Sequence, residues 1–315
     1  MSLGSRVVAR TLGYYLRHVR AHPGRWRLET AAIRRSGALT GYLRPTIIQT
    51  SHGFRMRVDG NSQAGRVLYV TGRYEPDVTA EIKRLAGSGD LVVDGGAHIG
   101  FFTLLASFCV GPTGRVMAFE PSSPTAEILR ANVRLNACTN VTVVEAALSD
   151  TSGSGVLAQK SATETGQATL RSIGDAASRT AIRLATLDEL LFDDKRPVAL
   201  IKLDLEGAEF RALLGMKRVL ARDRPALIVE VTDAFLEQAG ASAVELYRYL
   251  SDLRYVAHVI EWNAVRRIDS ADMFLRCGEQ FNALFTASPG ADRQRPGDPT
   301  SRSAGASLEI ESEST

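Results

Sequence analysis

The sequence has no run of about 18 apolar residues, which excludes a bilayer-spanning helix. Its first residues contain no apolar stretch followed by a small-residue cleavage site, so a cytoplasmic protein is expected. Cysteine is scarce: Cys109, Cys138 and Cys277 are far apart and odd in number. That pattern excludes a disulfide framework and the paired spacing of a zinc site, and it fits thiols in a reducing compartment. Net charge is also nearly absent, because 38 basic against 35 acidic residues leave only +3, too little to imply a nucleic-acid partner. What the 315 residues do have is 44% hydrophobic content, enough to bury a substantial core.

The charge is unevenly placed. Nine arginines precede Pro45, against the single acid Glu29. Val8, Leu12, Tyr15 and Val19 recur there at helical spacing, so residues 1–50 are expected to form a basic helical extension. Such a helix either packs on the protein with its arginines in water or makes peripheral contact with an anionic membrane. At the other end, residues 286–315 are rich in Pro, Gly, Ser and charge, and are expected to be a disordered tail. Residues 51–285 are left as the folded domain.

Within that domain β-rich runs, "DLVVDGG", "GRVMAFEP", "VTVVEAA", "VALIKLDLEG" and "PALIVEV", alternate with longer segments of helical pattern. Near-continuous apolar strands separated by helices indicate a parallel sheet covered on both faces, a doubly wound α/β fold. "YVAHVIEW" and "RRIDSADMFLRC" are joined by only "NAV", too short for a helical crossover, and predict an antiparallel hairpin at one sheet edge. "GFRMRV" and "GRVLYV" suggest a further small β element. Thr151 to Arg183, punctuated by Gly and Ser, reads as a partly β excursion over the active face.

Each predicted parallel strand closes on an acid: Asp94, Glu120, Glu145, Asp204 with Glu206, and Glu230. Ligands of open α/β sheets bind beyond these strand ends, so one crevice could collect six carboxylates. Gly95, Gly96 and Gly100 form a tight turn after the first parallel strand. Glu120 ends the next strand 20 residues after Gly100, where an acid can accept hydrogen bonds from both ribose hydroxyls of a nucleoside. The turn lacks the full dinucleotide glycine pattern, with His98 standing where a glycine would be. An aspartate at its head would repel a pyrophosphate. S-adenosylmethionine, which carries a sulfonium and an ammonium and no phosphate, suits such an acid-rich crevice.

These residues resemble the FkbM family of S-adenosylmethionine-dependent methyltransferases. The likeness rests on "YEP" at Tyr74 to Pro76, "VVDGGAHIGFFT", "AFEP" at Ala118 to Pro121, "NVTVVEAALSD", "ATLDEL" at Ala185 to Leu190 and "LIKLDLEGAE" from Leu200 to Glu209. It implies a class I methyltransferase fold, a mostly parallel seven-stranded sheet with one antiparallel edge strand. It further implies O-methylation of hydroxyls on small molecules, sugars or glycan ends. By motif, Asp94, Gly96, His98 and Gly100 would line the amino-acid and sulfonium end of the cofactor, Glu120 its ribose, and Glu145 with Ala146 its adenine. Glu75 either closes over the cofactor or is a helix N-terminal acid. The chain departs from the common family pattern at Gly95, usually β-branched, and at His98, more often asparagine.

An alcohol acceptor is a poor nucleophile until it loses its proton, so a base beside the methyl group is needed. Asp204 and Glu206, an i, i+2 pair where a strand unwinds, are the first candidates, with His98 as a second possible base. Lys202 shares the face of Asp204 by strand alternation and is a charge partner for it. The bland reading of Glu206 and Glu209 is that they cap backbone amides at the next helix. A metal between Asp204 and Glu206 has no supporting His or Cys, so none is predicted. His258 and Glu261 read as structural residues. Three other functions compete: a cofactor-binding scaffold without catalysis, an RNA methyltransferase supported only by the arginine-rich start, and a nicotinamide-dependent oxidoreductase. The acceptor itself has no legible motif.

Overall fold

The computed structural model describes residues 43–60, 62–159, 168–169, 178–261 and 264–288. The basic helical extension therefore lies outside the described residues up to position 42, as does the tail from position 289. Among the described residues, strand β1 (Thr46–Gln49) lies ahead of the expected domain boundary, and the last strand, β14 (Gln280–Ala287), takes in two residues assigned to the tail.

The centre is an eight-stranded sheet. Five strands are parallel: β3 (Leu91–Gly95), β4 (Arg115–Phe119), β5 (Val141–Val144), β10 (Val198–Leu203) and β11 (Ala226–Thr232). β14 pairs antiparallel with β11, and β12 (Tyr255–Glu261) pairs antiparallel with β14. β13 (Ala264–Ile268) completes the predicted edge hairpin with β12. The order is β13-β12-β14-β11-β10-β3-β4-β5. The sheet thus exceeds the expected seven strands by one: the edge strand β13 is antiparallel, as expected, and β14 is a further antiparallel strand between β11 and β12.

Helices cover both faces, as the unbroken apolar strands require. On one face lie α1 (Gln63–Thr71), α2 (Pro76–Leu85), α3 (Phe101–Val110) and α4 (Ser123–Leu135), around Val92, Leu200 and Ile228. On the other, α5 (Leu187–Leu190), α6 (Glu209–Leu214), α7 (Lys217–Asp223), α8 (Asp233–Gln238), α9 (Ala243–Asp252) and α10 (Ala271–Leu275) accompany a core of Val93, Ile201, Leu203 and Val229.

Two expected strands are helices. "GRVLYV" belongs to α1, where the Ser62 hydroxyl accepts the Gly65 N–H and left-handed Gly72 closes the end. Both faces of this segment are buried, so its apolar run carries no period that separates strand from helix. The second half of "RRIDSADMFLRC" is α10, started by Ser270, whose hydroxyl accepts the Met273 N–H. "GFRMRV" does supply a strand, β2 (Arg55–Val58), paired with β1.

The other edge of β2 is closed by side chains. Asn132 Oδ1 accepts the Arg57 N–H at 2.7 Å, and Asn136 Oδ1 accepts the Arg55 N–H at 2.8 Å. Their amide groups donate back to the Arg57 and Arg55 carbonyls. Spaced i, i+4 on one helix face, the two asparagines act as a substitute strand for β2. The excursion after β5 forms a separate small sheet, β6 (Ala147–Leu148), β9 (Ser178–Ala185), β7 (Gly153–Gln159) and β8 (Ala168–Thr169), in that order.

Candidate active site

Strand register creates a row of polar groups at the carboxyl end of the sheet. Val92, Leu200, Ile228 and Leu284 form one apolar layer on a single face. Two residues along, the same face carries Asp94, Lys202, Glu230 and Asn282. Asp94 is the register partner of Lys202, and Glu230 that of Asn282. Leu203 pairs with Val229, so Asp204 follows beside Glu230.

Lys202 is 3% exposed and stands 4.7 Å from the centre of the Phe102 ring. Its ammonium donates to Asp204 Oδ2 at 3.1 Å, the charge pairing expected from alternation. Burial opposes the charge on Lys202, but Asp204, Asp94 and Glu75 outweigh it and raise its pKa. Burial likewise opposes ionisation of Asp204, yet the Lys202 charge and hydrogen bonds from Glu230 and Lys202 hold it below the usual carboxylate range. Glu230 moves the opposite way, pushed up by burial and by the neighbouring Asp204. Gln280 Nε2 donates to Glu230 Oε1 at 2.7 Å. Asp94 is raised by burial; its Oδ2 accepts from Thr103 Oγ1 at 2.6 Å, while the buried Oδ1 has no partner.

The glycine turn is fixed by close approach. Gly96 has φ +76°, and a Cβ there would lie 1.9 Å from the Asp204 carbonyl oxygen. At Gly95 a Cβ would meet Leu148 and Leu203 methyls at 3.0 Å, which accounts for a glycine where the family usually has a branched residue. His98 takes the left-handed conformation, φ +49°, that asparagine also tolerates. Its N–H donates to Glu120 Oε2 at 3.0 Å, and the Ser122 N–H donates to Glu120 Oε1 at 2.9 Å. Burial pushes Glu120 up to about 7 against these two donors. The His98 ring is pushed down to about 4 by burial, so it is neutral at pH 7, and its Nε2 is buried without a partner.

After β10 the chain turns through Glu206 (φ +53°) and Gly207 (φ +103°). Glu209 Oε1 accepts the Leu205 N–H at 2.7 Å and the Gly207 N–H at 3.2 Å, so the capping role falls to Glu209. Asp204 and Glu206 both line the cleft beside Gly96. Glu75 occupies the cap position of α2 in a strained left-handed conformation, φ +36°, without capping the helix. Its carboxyl instead hydrogen-bonds Tyr74 and Asn282, faces Lys202 and Asp204, and is raised by burial.

The six expected carboxylates do not share one crevice. Glu145 turns away to Arg130, 2.8 Å distant, and to the Ser123 hydroxyl, because α4 brings both to the end of β5. Ala146 lines the cleft in its stead. His258 and Glu261 are structural, the first near the Leu284 carbonyl and the second paired with Arg266 at 2.8 Å. Motif "ATLDEL" is a joint: Thr186 caps α5, and Asp188 accepts the Arg218 and Val219 N–H groups of α7. Gln280 and Asn282 were missed, and Glu230, expected among the strand-end acids, was not paired with Asp204 in advance, although alternation along β10 and β11 puts the two on one face.

The cleft encloses about 640 Å³, including its open mouth. Gly96, His98, Glu120 and Ala146 lie along it, and Leu157 of β7 adds a wall from the excursion. No lysine or arginine is among its described lining residues, so nothing there would neutralise a pyrophosphate. A cationic nucleoside fits better: Asp94 Oδ1 and His98 Nε2 are unpartnered, and the glycine turn offers bare backbone. Among the described residues no group of three His, Cys, Asp or Glu is placed to hold a metal, and no helix is long and apolar enough to cross a membrane.

The family model of the methyltransferase FkbM domain matches residues 94–257. No curated protein matches. Among solved structures the chain is similar to methyltransferase FkbM from Methylobacillus flagellatus KT, at 18% identity over 82% of this chain and 58% of that one, TM-score 0.41. It is also similar to a SAM-dependent O-methyltransferase from Thermotoga maritima, at 15% identity over 80% of each chain, TM-score 0.41. A third is precorrin-6y C5,15-methyltransferase from Geobacter metallireducens GS-15, at 15% identity over 66% of this chain and 86% of that one, TM-score 0.38.

Proposed function

The chain belongs to the FkbM methyltransferase family and is an S-adenosylmethionine-dependent methyltransferase, and on that premise we propose that it methylates a hydroxyl of a small molecule, sugar or glycan, with Asp204 as the base. The observation that carries this reading is the Lys202–Asp204 ion pair at 3.1 Å. It keeps a carboxylate ionised at the wall of the cleft, against the glycine turn.

S-adenosylmethionine supplies a methyl group on positively charged sulfur, and the new oxygen–carbon bond forms as the carbon–sulfur electron pair passes to sulfur. Asp204 takes the hydroxyl proton. Glu206, at the same wall, binds the acceptor and aligns it. Neutral His98 offers Nε2 as a hydrogen-bonding group. Asp94 and Glu75 provide negative potential for the cationic end of the cofactor, Glu120 accepts from the ribose, and Ala146 edges the adenine. Gly96 and Gly100 allow the close backbone approach. The non-catalytic reading has no use for an ionised carboxylate held by a buried lysine. Among its described lining residues the cleft has no lysine or arginine to form a basic platform for RNA.

Calorimetry tests the cofactor part: S-adenosylmethionine and S-adenosylhomocysteine should bind, NAD should not, and Glu120→Ala should weaken both by 10-fold or more, about 1.4 kcal/mol. Labelled methyl transfer to a panel of sugars, phenols and aliphatic alcohols, with Asp204→Asn as control, tests the oxygen acceptor. Transfer to amines or thiols alone would overturn the O-methyl assignment.

A further inference from the structure

We propose that Glu230 is a positioning residue for Asp204: the two neighbouring carboxyls hold one proton between them, on Glu230, which keeps Asp204 the ionised member and orients it toward the acceptor. The inference rests on Asp204 being the base and adds a residue that no family motif above contains.

The geometry begins with register. Leu203 and Val229 are partners in parallel strands, so the next residues, Asp204 and Glu230, stand side by side on the same face. Two carboxylates at that spacing cannot both ionise cheaply. The surroundings decide which one keeps the proton. Asp204 has the Lys202 ammonium at 3.1 Å. Glu230 has only a neutral donor, Gln280 Nε2 at 2.7 Å, and its strand partner across β14 is the neutral Asn282. The other ionisable groups facing the pair are Tyr74 and Glu75 before α2, Asp94 on β3, His98 in the glycine turn, Glu120 after β4 and Glu209 of α6; Tyr74 and His98 are neutral and the rest are acids. Every ionised neighbour except Lys202 is therefore negative, and Lys202 contacts the Asp204 side. The Glu230 hydroxyl then donates to Asp204, the hydrogen bond that lowers one partner and raises the other.

A functional consequence follows. When the acceptor hydroxyl passes its proton to Asp204, the pair holds two protons. Glu230 is partly exposed, so it can release one to water and be reprotonated across the hydrogen bond, which restores the starting charge.

The test is a carboxyl ¹³C NMR titration of the full chain, labelled in Asp and Glu, comparing the native protein with Asp204→Asn and Glu230→Gln. The expected result is reciprocal: the Glu230 midpoint, above the carboxylate range in the native protein, falls by at least about one unit in Asp204→Asn, a factor of 10 in proton affinity. In Glu230→Gln the amide still donates to Asp204, S-adenosylmethionine binds within about twofold of native, and no carboxyl of the pair titrates above the ordinary range. On an acceptor returned by the panel, the loss of the proton exit lowers kcat about 10-fold and removes the alkaline limb of the rate profile, with KM little changed. A Glu230 midpoint that ignores Asp204→Asn would overturn the shared proton, since burial alone would then explain it. An alkaline limb that survives in Glu230→Gln would overturn the role in turnover. A panel that returns no hydroxyl acceptor defeats the O-methyl reading instead, while the reciprocal titration still decides the pair.

Discussion

The Asp204 carbonyl oxygen sits where a side chain on Gly96 would have to begin, 1.9 Å from an ideal Cβ. The cofactor turn and the loop carrying the proposed base are therefore packed backbone on backbone, and neither can move without the other. Gly96→Ala should cost at least about 2 kcal/mol, from the left-handed φ of +76° and the clash together. Thermal unfolding would read the loss, and calorimetry should find S-adenosylmethionine binding abolished.

Removing the buried cation should be worse than removing its partner. Lys202→Met leaves Asp204, Asp94 and Glu75 facing one another without compensation, and about 3 kcal/mol of stability should be lost. Asp204→Asn keeps the volume and should cost less, and the double variant should recover part of the Lys202→Met loss. A double-mutant cycle in urea measures the coupling.

Glu120 and Glu209 should each withdraw stability as pH rises from about 4.5 to about 7, while His52 and His98, both lowered to about 4, add stability as pH rises toward 6.5. Burial raises Glu120 and Glu209 from 4.5 to about 7 in the folded protein, so the folded state holds protons that the unfolded chain has released. The contribution of each is complete below the ordinary pKa and is lost as pH passes through the raised one. Unfolding temperatures of native protein and Glu209→Gln, compared across pH 4 to 8, should diverge at high pH in favour of the variant, which has no proton to lose. A Glu209→Gln variant whose unfolding temperature runs parallel to the native curve across this interval would contradict the assigned protonation of Glu209.

Asn132 is fully buried and bonds the Arg57 backbone and the Ile99 carbonyl at 2.8 Å, joining β2 to the glycine turn. Asn132→Ala strands these groups and should cost about 3 kcal/mol. Asn136→Ala, at the exposed end of the same clamp, should cost under half as much. Hydrogen exchange at the Arg57 amide should accelerate in the first variant.

Much of the site was legible beforehand because strand ends and glycine turns obey short-range rules. The turn after β3, Glu120 at the end of β4 and the Lys202–Asp204 pairing all follow from alternation and spacing within about 25 residues. The Glu145 contact with Arg130 was not legible, because Arg130 belongs to a helix whose rotation about its axis no local pattern fixes. α1 was taken for a strand because a segment buried on every side has no period to read.

The sequence by itself determined the doubly wound fold, the edge hairpin, the acid-lined turn and the cofactor class, since apolar periodicity, turn glycines and charge chemistry are properties of neighbouring residues. Tertiary structure alone decided that β14 enters between β11 and β12, that two asparagines close the edge of β2, and that Asp204 and Glu230 lie side by side. Those outcomes depend on which distant strands pair and in what register. Register sets the distance between two carboxyls, and that distance sets which of them holds the proton.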